Sequence, residues 1–169
     1  SAAVKAESDI CCTSGNAVKV IESLGVPKVI MIPDRFLAAN VARQTGVEVI
    51  VHPGACEVHE RFTPNDIRQV RLENPGITVL AHPECPPEVV DEADYAGSTA
   101  QMVKFVDAKR PLKVALITEC SMSDNVSEAY PDIEFIRPCN LCPHMKRNTL
   151  AAIRHALETM TNEVTVPED

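Results

Sequence analysis

Five short runs rich in β-branched residues punctuate the chain, at 28–32, 47–51, 77–81, 113–117 and 133–136. Runs of that length predict strands buried in a parallel sheet. Between them, apolar residues return at helical spacing: Ala17, Val20, Ile21 and Leu24, then Leu37 and Val41, then Ile67 and Val70, then Met102, Phe105 and Val106. The alternation is β-α-β-α, which predicts an α/β fold with short, mainly parallel sheets and helices on their faces. Thr63-Pro64-Asn65-Asp66 and Ser98-Thr99 carry the signals of helix starts, a capping hydroxyl and, in the first, a proline at the opening helical position. Gly25, Gly46 and Gly76 mark helix ends. Residues 148–160 place Leu150, Ile153, Leu157 and Met160 on one stripe, which predicts a packed amphipathic helix, and a polar, frayed tail follows at 161–169.

Each predicted strand stops at proline or polar residues: Pro33-Asp34, His52-Pro53-Gly54-Ala55-Cys56, His82-Pro83-Glu84-Cys85, Thr118-Glu119-Cys120 and Arg137-Pro138-Cys139. Open α/β sheets bind ligands beyond the carboxyl ends of their strands, so the site is expected along that edge, with several loops contributing.

Composition narrows the function. With 169 residues, 45% of them apolar, the chain can bury a core, and disorder is excluded as its main state. The balance of 16 basic and 24 acidic residues, with no basic cluster longer than Lys146-Arg147, is the opposite of a phosphate-tracking nucleic-acid binder. No apolar run approaches the roughly 18 to 20 residues of a membrane span, and the first residues lack signal-peptide organisation, so the expected compartment is the cytoplasm. Seven cysteines, an odd and scattered set, do not read as a disulfide framework. In a reducing compartment such thiols are core filler, nucleophiles or metal ligands.

The sharpest local pattern is Cys139-Asn140-Leu141-Cys142-Pro143-His144. Two thiolates three apart after a strand can grip zinc, form a redox pair, or join a distant cysteine on an iron–sulfur cluster. They can equally be two buried thiols beside a turn. Cys56 follows Gly54-Ala55, small residues that would let a bulky ligand approach the backbone, or it is a buried small hydrophobe. Cys11-Cys12-Thr13-Ser14-Gly15-Asn16 enters a helix with hydroxyls and free N–H groups that suit a carboxylate or phosphate, or it is a plain cap. His82 and Glu84, two apart at a strand end, can face one pocket as acid and base, with Pro83 fixing the turn. His144 and His155 read as solvated, and Cys85 and Cys120 as packing residues.

Taken in order, Cys12-Thr13-Ser14-Gly15-Asn16-Ala17, Pro33-Asp34-Arg35, Gly54-Ala55-Cys56-Glu57-Val58-His59-Glu60, His82-Pro83-Glu84-Cys85-Pro86, Ala93-Asp94-Tyr95-Ala96-Gly97-Ser98-Thr99, Thr118-Glu119 and Cys142-Pro143-His144-Met145-Lys146 resemble the quinolinate synthase family. The resemblance implies an enzyme of NAD biosynthesis that condenses iminoaspartate with dihydroxyacetone phosphate, losing phosphate and water to give quinolinate. It implies three similar three-layer α/β/α domains around a pseudo-threefold axis in the complete protein. Residues 1–62 would then be the second domain, 63–147 the third, and 148–169 a terminal helix and tail. It implies a [4Fe-4S] cluster acting as Lewis acid, held by Cys56, Cys142 and a third cysteine upstream of this chain, with Cys139 a neighbour only. By the same similarity His82 and Glu84 are the catalytic pair, while Ser14, Ser98 and Thr99 bind substrate carboxylates or phosphate. Arg35 would help with anions or sit in a surface ion pair. The substrates are small molecules, and functional coupling to L-aspartate oxidase is expected. Lacking the family's first domain, this chain is not expected to complete the site alone. The family usually carries an aromatic residue where Ala55 stands, or one near His52. The competing reading is a non-catalytic α/β module that binds zinc, or senses redox state, through Cys139 and Cys142.

Overall fold

The computed structural model describes residues 2–166 and divides them into two compact units, one of residues 2–12 with 142–166, the other Thr13–Leu141. The first unit holds α1 (Ala2–Ala6), a turn of 3-10 helix at Met145–Arg147 and, late in the chain, a helix at Leu150–Thr159. That helix forms where its periodicity places it, with Thr149 Oγ1 accepting the Ala152 N–H at its start. Its apolar stripe is not packed: Leu150 is 86% exposed, Leu157 72% and Met160 82%, and none of its residues is buried. Residues 161–166 form no regular element, and the rest of the expected tail lies outside the described residues.

The second unit runs α2 (Ala17–Ser23), β1 (Lys28–Met31), α3 (Arg35–Ala42), β2 (Glu48–Val51), α4 (Pro64–Glu73), β3 (Thr78–Ala81), α5 (Pro87–Glu92), β4 (Tyr95–Ala96), α6 (Thr99–Lys109), β5 (Lys113–Ile117), α7 (Cys120–Ala129) and β6 (Glu134–Ile136). All five expected strands form, within a residue or so of their apolar runs. The unforeseen elements are the short β4 and the helices α5 and α7, whose sequences are too brief or too polar to show a stripe.

Two sheets result, both parallel. β4-β3-β5-β6 is four-stranded, and β1-β2 is two-stranded with Lys28 opposite Glu48 and Met31 opposite Val51. Alternation along β3 and β5 sorts their side chains between two cores. Val79, Ala81, Ala115 and Ile117 pack with Ile67 of α4 and Val89 of α5. Leu80, Val114 and Leu116 pack with Met102 and Val106 of α6 and Val126 of α7. Helices therefore cover both faces, giving three α/β/α layers. The smaller sheet buries Met31 against Ala17, Ile21, Leu37 and Val41 of α2 and α3, but leaves Ile30 71% and Ile50 43% exposed on its other side.

Caps fix where the helices begin. Thr63 with Asp66 and Ser98 with Gln101 form complete capping boxes at α4 and α6, as their spacing predicts. Gly25 and Gly76 take positive φ (64° and 79°) at the expected turns, whereas Gly46 does not. Among the described residues no helix is long and apolar enough to cross a membrane.

Leu116 is 1% exposed between two helices, so Leu116→Ala is expected to lower unfolding stability by about 2–5 kcal/mol. Leu112→Ala, at a residue 87% exposed, should stay within about 0.5 kcal/mol. Urea unfolding of the two variants checks the difference, and equal losses would mean that the β5 core is not the centre of stability.

Candidate functional site

The carboxyl ends of β1, β2, β3 and β5 converge, and each contributes a side chain by a definite contact. After β1, Asp34 caps α3: its Oδ1 accepts the Leu37 N–H at 2.6 Å and its Oδ2 the Cys56 N–H at 2.7 Å. The second bond ties the loop after β2 to the loop after β1. Gly54 is required there because a side chain would start 2.7 Å from the Pro33 carbonyl oxygen. The protein's own backbone fills that space, so the small residue serves chain packing and not the approach of a ligand.

After β3, the His82 N–H donates to the Ile117 carbonyl at 3.1 Å, and the Cys85 N–H closes the turn onto the His82 carbonyl at 2.9 Å. The Glu84 N–H donates to His82 Nδ1 at 3.3 Å, which assigns the ring proton to Nε2, facing Ser14 Oγ at 3.3 Å. His82 and Glu84 thus lie side by side at this edge, but they are not an ion pair. Glu84 Oε2 is 4.0 Å from His82 Nδ1 and only 3.1 Å from Nδ1 of His59. That shorter approach is a charge contact lying off the ring N–H direction.

His59 is the residue that sequence reasoning quoted without a role. It sits in a short 3-10 turn, is 7% exposed, stacks on His82 with ring centroids 4.5 Å apart, and has Nε2 2.9 Å from Thr118 Oγ1. The Cys56-x-x-His59 spacing is the signal that would have found it. Cys56, His59 and Glu84 bring one sulfur, one nitrogen and one oxygen within 4.8 Å of one another, a group able to hold a metal ion.

The electrostatics follow from burial and proximity. Burial opposes charge on His59, but Cys56 and Glu84 outweigh it and push the imidazole up to about 9. Burial, reinforced by the His59 charge, pulls His82 down to about 4. Glu84 and the Cys56 thiol both lie below their ordinary values, because contacts with His59 overcome the opposing effect of burial. At neutral pH the cluster holds an anionic carboxylate, a charged His59 and a neutral His82.

The other expected residues fall unevenly. Ser98 is buried and caps α6, and Gly15 lies so close that a side chain there would start 3.0 Å from Ser98 Oγ; Thr99 is exposed. A cavity of about 640 Å3 has Ser14, Gly15, Asn40 and Gly97 in its wall, while Cys56, His82 and Glu84 lie outside that wall. Arg35 Nη2 is 3.6 Å from Glu60 and its guanidinium covers the Phe36 ring, so it sits in the surface ion pair. In the other unit, Cys142 is half-buried and its Sγ accepts the Met145 N–H at 3.5 Å.

The thiols also need correction. Cys120, expected as a packing residue, is joined to Cys139 in a disulfide, which holds the start of α7 to the loop after β6. Cys139 therefore has no thiolate to offer, and a zinc or redox pair made with Cys142 does not form in this state. Cys85 is fully buried as expected, and burial raises its thiol strongly. The accessible cysteines outside the disulfide are Cys11, Cys12, Cys56 and Cys142.

The pH dependence of the chain follows with a definite sign. His82 is folded in its neutral form, so its contribution to stability is whole above its ordinary 6.5 and lost as pH falls through about 4. Glu84, lowered from 4.5, adds a loss in the same direction at the acid end. The His59 contribution is whole below 6.5 and lost as pH rises through about 9, with the lowered Cys56 thiol opposing that loss. His82→Asn is expected to flatten the acid limb, removing at most roughly 3 kcal/mol of pH-dependent stability. Urea midpoints of parent and variant across this range check it, and equally steep limbs would assign the proton uptake elsewhere.

Comparison with known proteins identifies the family. The family model described as Quinolinate synthetase A protein matches residues 1–169. Quinolinate synthase 2 of Mesorhizobium japonicum is 66% identical over 166 residues, 98% of this chain and 51% of that relative. Quinolinate synthase of Agrobacterium fabrum is 67% identical over 166 residues, covering 98% and 48%. The protein of the same name from Xylella fastidiosa is 66% identical, covering 98% and 49%. The chain spans about half the length of the curated relatives it matches. The family match runs along the whole of the chain, and the chain belongs to the quinolinate synthetase A family.

Proposed function

We propose that this chain is part of a quinolinate synthase, an enzyme of NAD biosynthesis in the cytoplasm that condenses iminoaspartate with dihydroxyacetone phosphate to quinolinate, with loss of phosphate and water. The observation that carries the reading is the convergence of Cys56, His59 and Glu84 beside the Ser14–His82 contact. In the family's arrangement residues 1–62 are the second and 63–147 the third of three domains about a pseudo-threefold axis. Residues 148–169 are the terminal helix and tail. A piece covering about half of its relatives is expected to be inactive alone. L-aspartate oxidase, as a source of iminoaspartate, is the expected functional partner.

The thiol chemistry fits a [4Fe-4S] cluster. A cluster takes thiolates, and Cys56 is a half-buried thiol already biased towards the thiolate. Cys85 is too buried to contribute, and Cys120 and Cys139 are consumed by their disulfide. Cys56 and Cys142 would hold the cluster with a third cysteine from upstream, and the open iron would supply a Lewis acid for dehydration. The chain's own residues do the rest. Ser14 presents its hydroxyl to substrate beside the His82 Nε2–H, and Ser98 and Thr99 stand at the start of α6, where backbone N–H groups favour anions. Glu84, held ionised, accepts a proton, the charged His59 is the available proton donor, and the neutral His82 donates a hydrogen bond from its Nε2–H.

A second reading has one observation in its favour. The nitrogen, oxygen and sulfur donors of the Cys56 trio could hold a single zinc ion in a non-catalytic module. Iron, acid-labile sulfide and zinc measured on anaerobically prepared full-length parent protein separate the two. Cys56→Ser and Cys142→Ser are each expected to abolish iron and sulfide, with Cys85→Ser and Cys139→Ser retaining them. Glu84→Gln should keep iron while lowering kcat on the order of 100-fold or more. Zinc without sulfide in the parent would establish the binding module instead.

A further inference from the structure

Helix α3 touches the site at two points, and neither contact belongs to a residue of the proposed catalytic set. At its N-terminus buried Asp34 uses one carboxylate oxygen for the helix and the other for the Cys56 N–H. Six residues on, about 9 Å along the axis, stands Asn40. Asn40 is 4% exposed, and its Nδ2 donates to the Pro83 carbonyl at 2.9 Å and to the Cys85 carbonyl at 3.0 Å. Both of its amide protons thus go to the turn that carries His82 and Glu84. Its Oδ1 is buried with no hydrogen-bond partner, an arrangement that costs stability and that an apolar side chain would avoid. The side chain is therefore matched to the two carbonyls it binds, not to burial as such.

We propose that Asp34 and Asn40 are positioning residues, which hold the Cys56 turn and the His82–Cys85 turn on one rigid helix and so set the spacing that brings Cys56, His59 and Glu84 together. The two turns leave different strands of different sheets, β2 and β3, and no backbone hydrogen bond links those strands. A carboxylate and a primary amide at fixed positions on one helix supply the missing constraint. Asp34 acts on the turn that carries Cys56 and leads into His59, and Asn40 on the turn that carries His82 and Glu84. The two can therefore be separated experimentally, because each fixes a different half of the trio. The catalytic consequence rests on the activity proposed above, whereas the alignment itself does not.

The test uses the full-length parent protein. In Asp34→Asn the amide oxygen can still cap α3, since Asn caps as well as Asp, but the amide nitrogen then faces the Cys56 N–H as donor to donor. Asp34→Ser keeps a cap and removes the second oxygen without that clash, which keeps the experiment readable should the first variant fold poorly. Asn40→Leu removes the clamp on the other turn. Asp66→Asn, in the capping box of α4, is the control for losing a capping carboxylate elsewhere. Hydrogen exchange, which needs neither cluster nor substrate, is expected to speed at the Cys56 amide at least about tenfold in both Asp34 variants and to stay at parent values in Asp66→Asn and Asn40→Leu. Iron and sulfide content should fall to less than about half in the Asp34 variants and remain near parent in Asn40→Leu. In Asn40→Leu kcat should drop on the order of 10- to 100-fold with KM little changed, as a displaced pair of reacting groups requires. Unaltered Cys56 exchange in both Asp34 variants, or an Asp66→Asn control that loses iron as they do, overturns the proposal. A parent without synthase activity but with the expected exchange pattern removes the activity and leaves the alignment standing.

Discussion

The hydrogen bond from the His82 N–H to the Ile117 carbonyl, 3.1 Å long, carries the β3–β5 ladder one residue beyond the last paired strand positions, and the site is built on it. Because His82 is locked beside Ile117, the first residue after β5, Thr118, stands at the same level of the edge. Thr118 Oγ1 meets His59 Nε2, and His59 in turn stacks on His82. The two imidazoles are thus fixed by the register of a parallel sheet, an unusually stiff support for loop-borne chemistry. A shift of one residue in that register would send Thr118 to the opposite face and leave His59 without its orienting partner.

Two stacked histidines in a buried site cannot both carry a proton at modest cost, and the surroundings decide which one does. His59 has the Cys56 thiol and the Glu84 carboxylate as neighbours, whereas His82 has a backbone N–H on Nδ1 and a serine hydroxyl on Nε2. The charge therefore settles on His59 and keeps Glu84 ionised, and the same charge keeps His82 neutral. Pairs of titratable groups pushed apart in this way are where acid and base roles are found.

Most of the architecture was legible in the sequence because it rests on local signals. The apolar runs at 77–81 and 113–117 alternate between two covered faces, and Thr63 and Ser98 announce their helices by capping residues. The site was legible as a set of strand ends, and Cys56, His82, Glu84 and Ser14 do meet there. What sequence could not supply was pairing. His59 meets Glu84 across 24 intervening positions only because two loops fold onto one edge, and Asn40 reaches Pro83 and Cys85 from another sheet's helix. The misjudged stripe on the terminal helix has the reverse cause. Periodicity reports that a face is apolar and not what covers it, and among the described residues nothing buries Leu150 or Met160.

The cysteines show how structure converts a count into a chemical assignment. By sequence, seven thiols were near-equivalents, distinguished only by motif. Burial removes Cys85, since a thiolate there would be stranded in an apolar core without solvent. The bond between Cys120 and Cys139 removes two more and leaves Cys142 as the one cysteine of its motif outside a disulfide. Cys56 is then set apart by its neighbours, because a thiol beside a charged imidazole is poised to lose its proton to any thiophilic metal. Asp34 completes the logic from the backbone side. By accepting the Cys56 N–H it fixes the backbone from which the sulfur projects, and so the place of that sulfur beside His59.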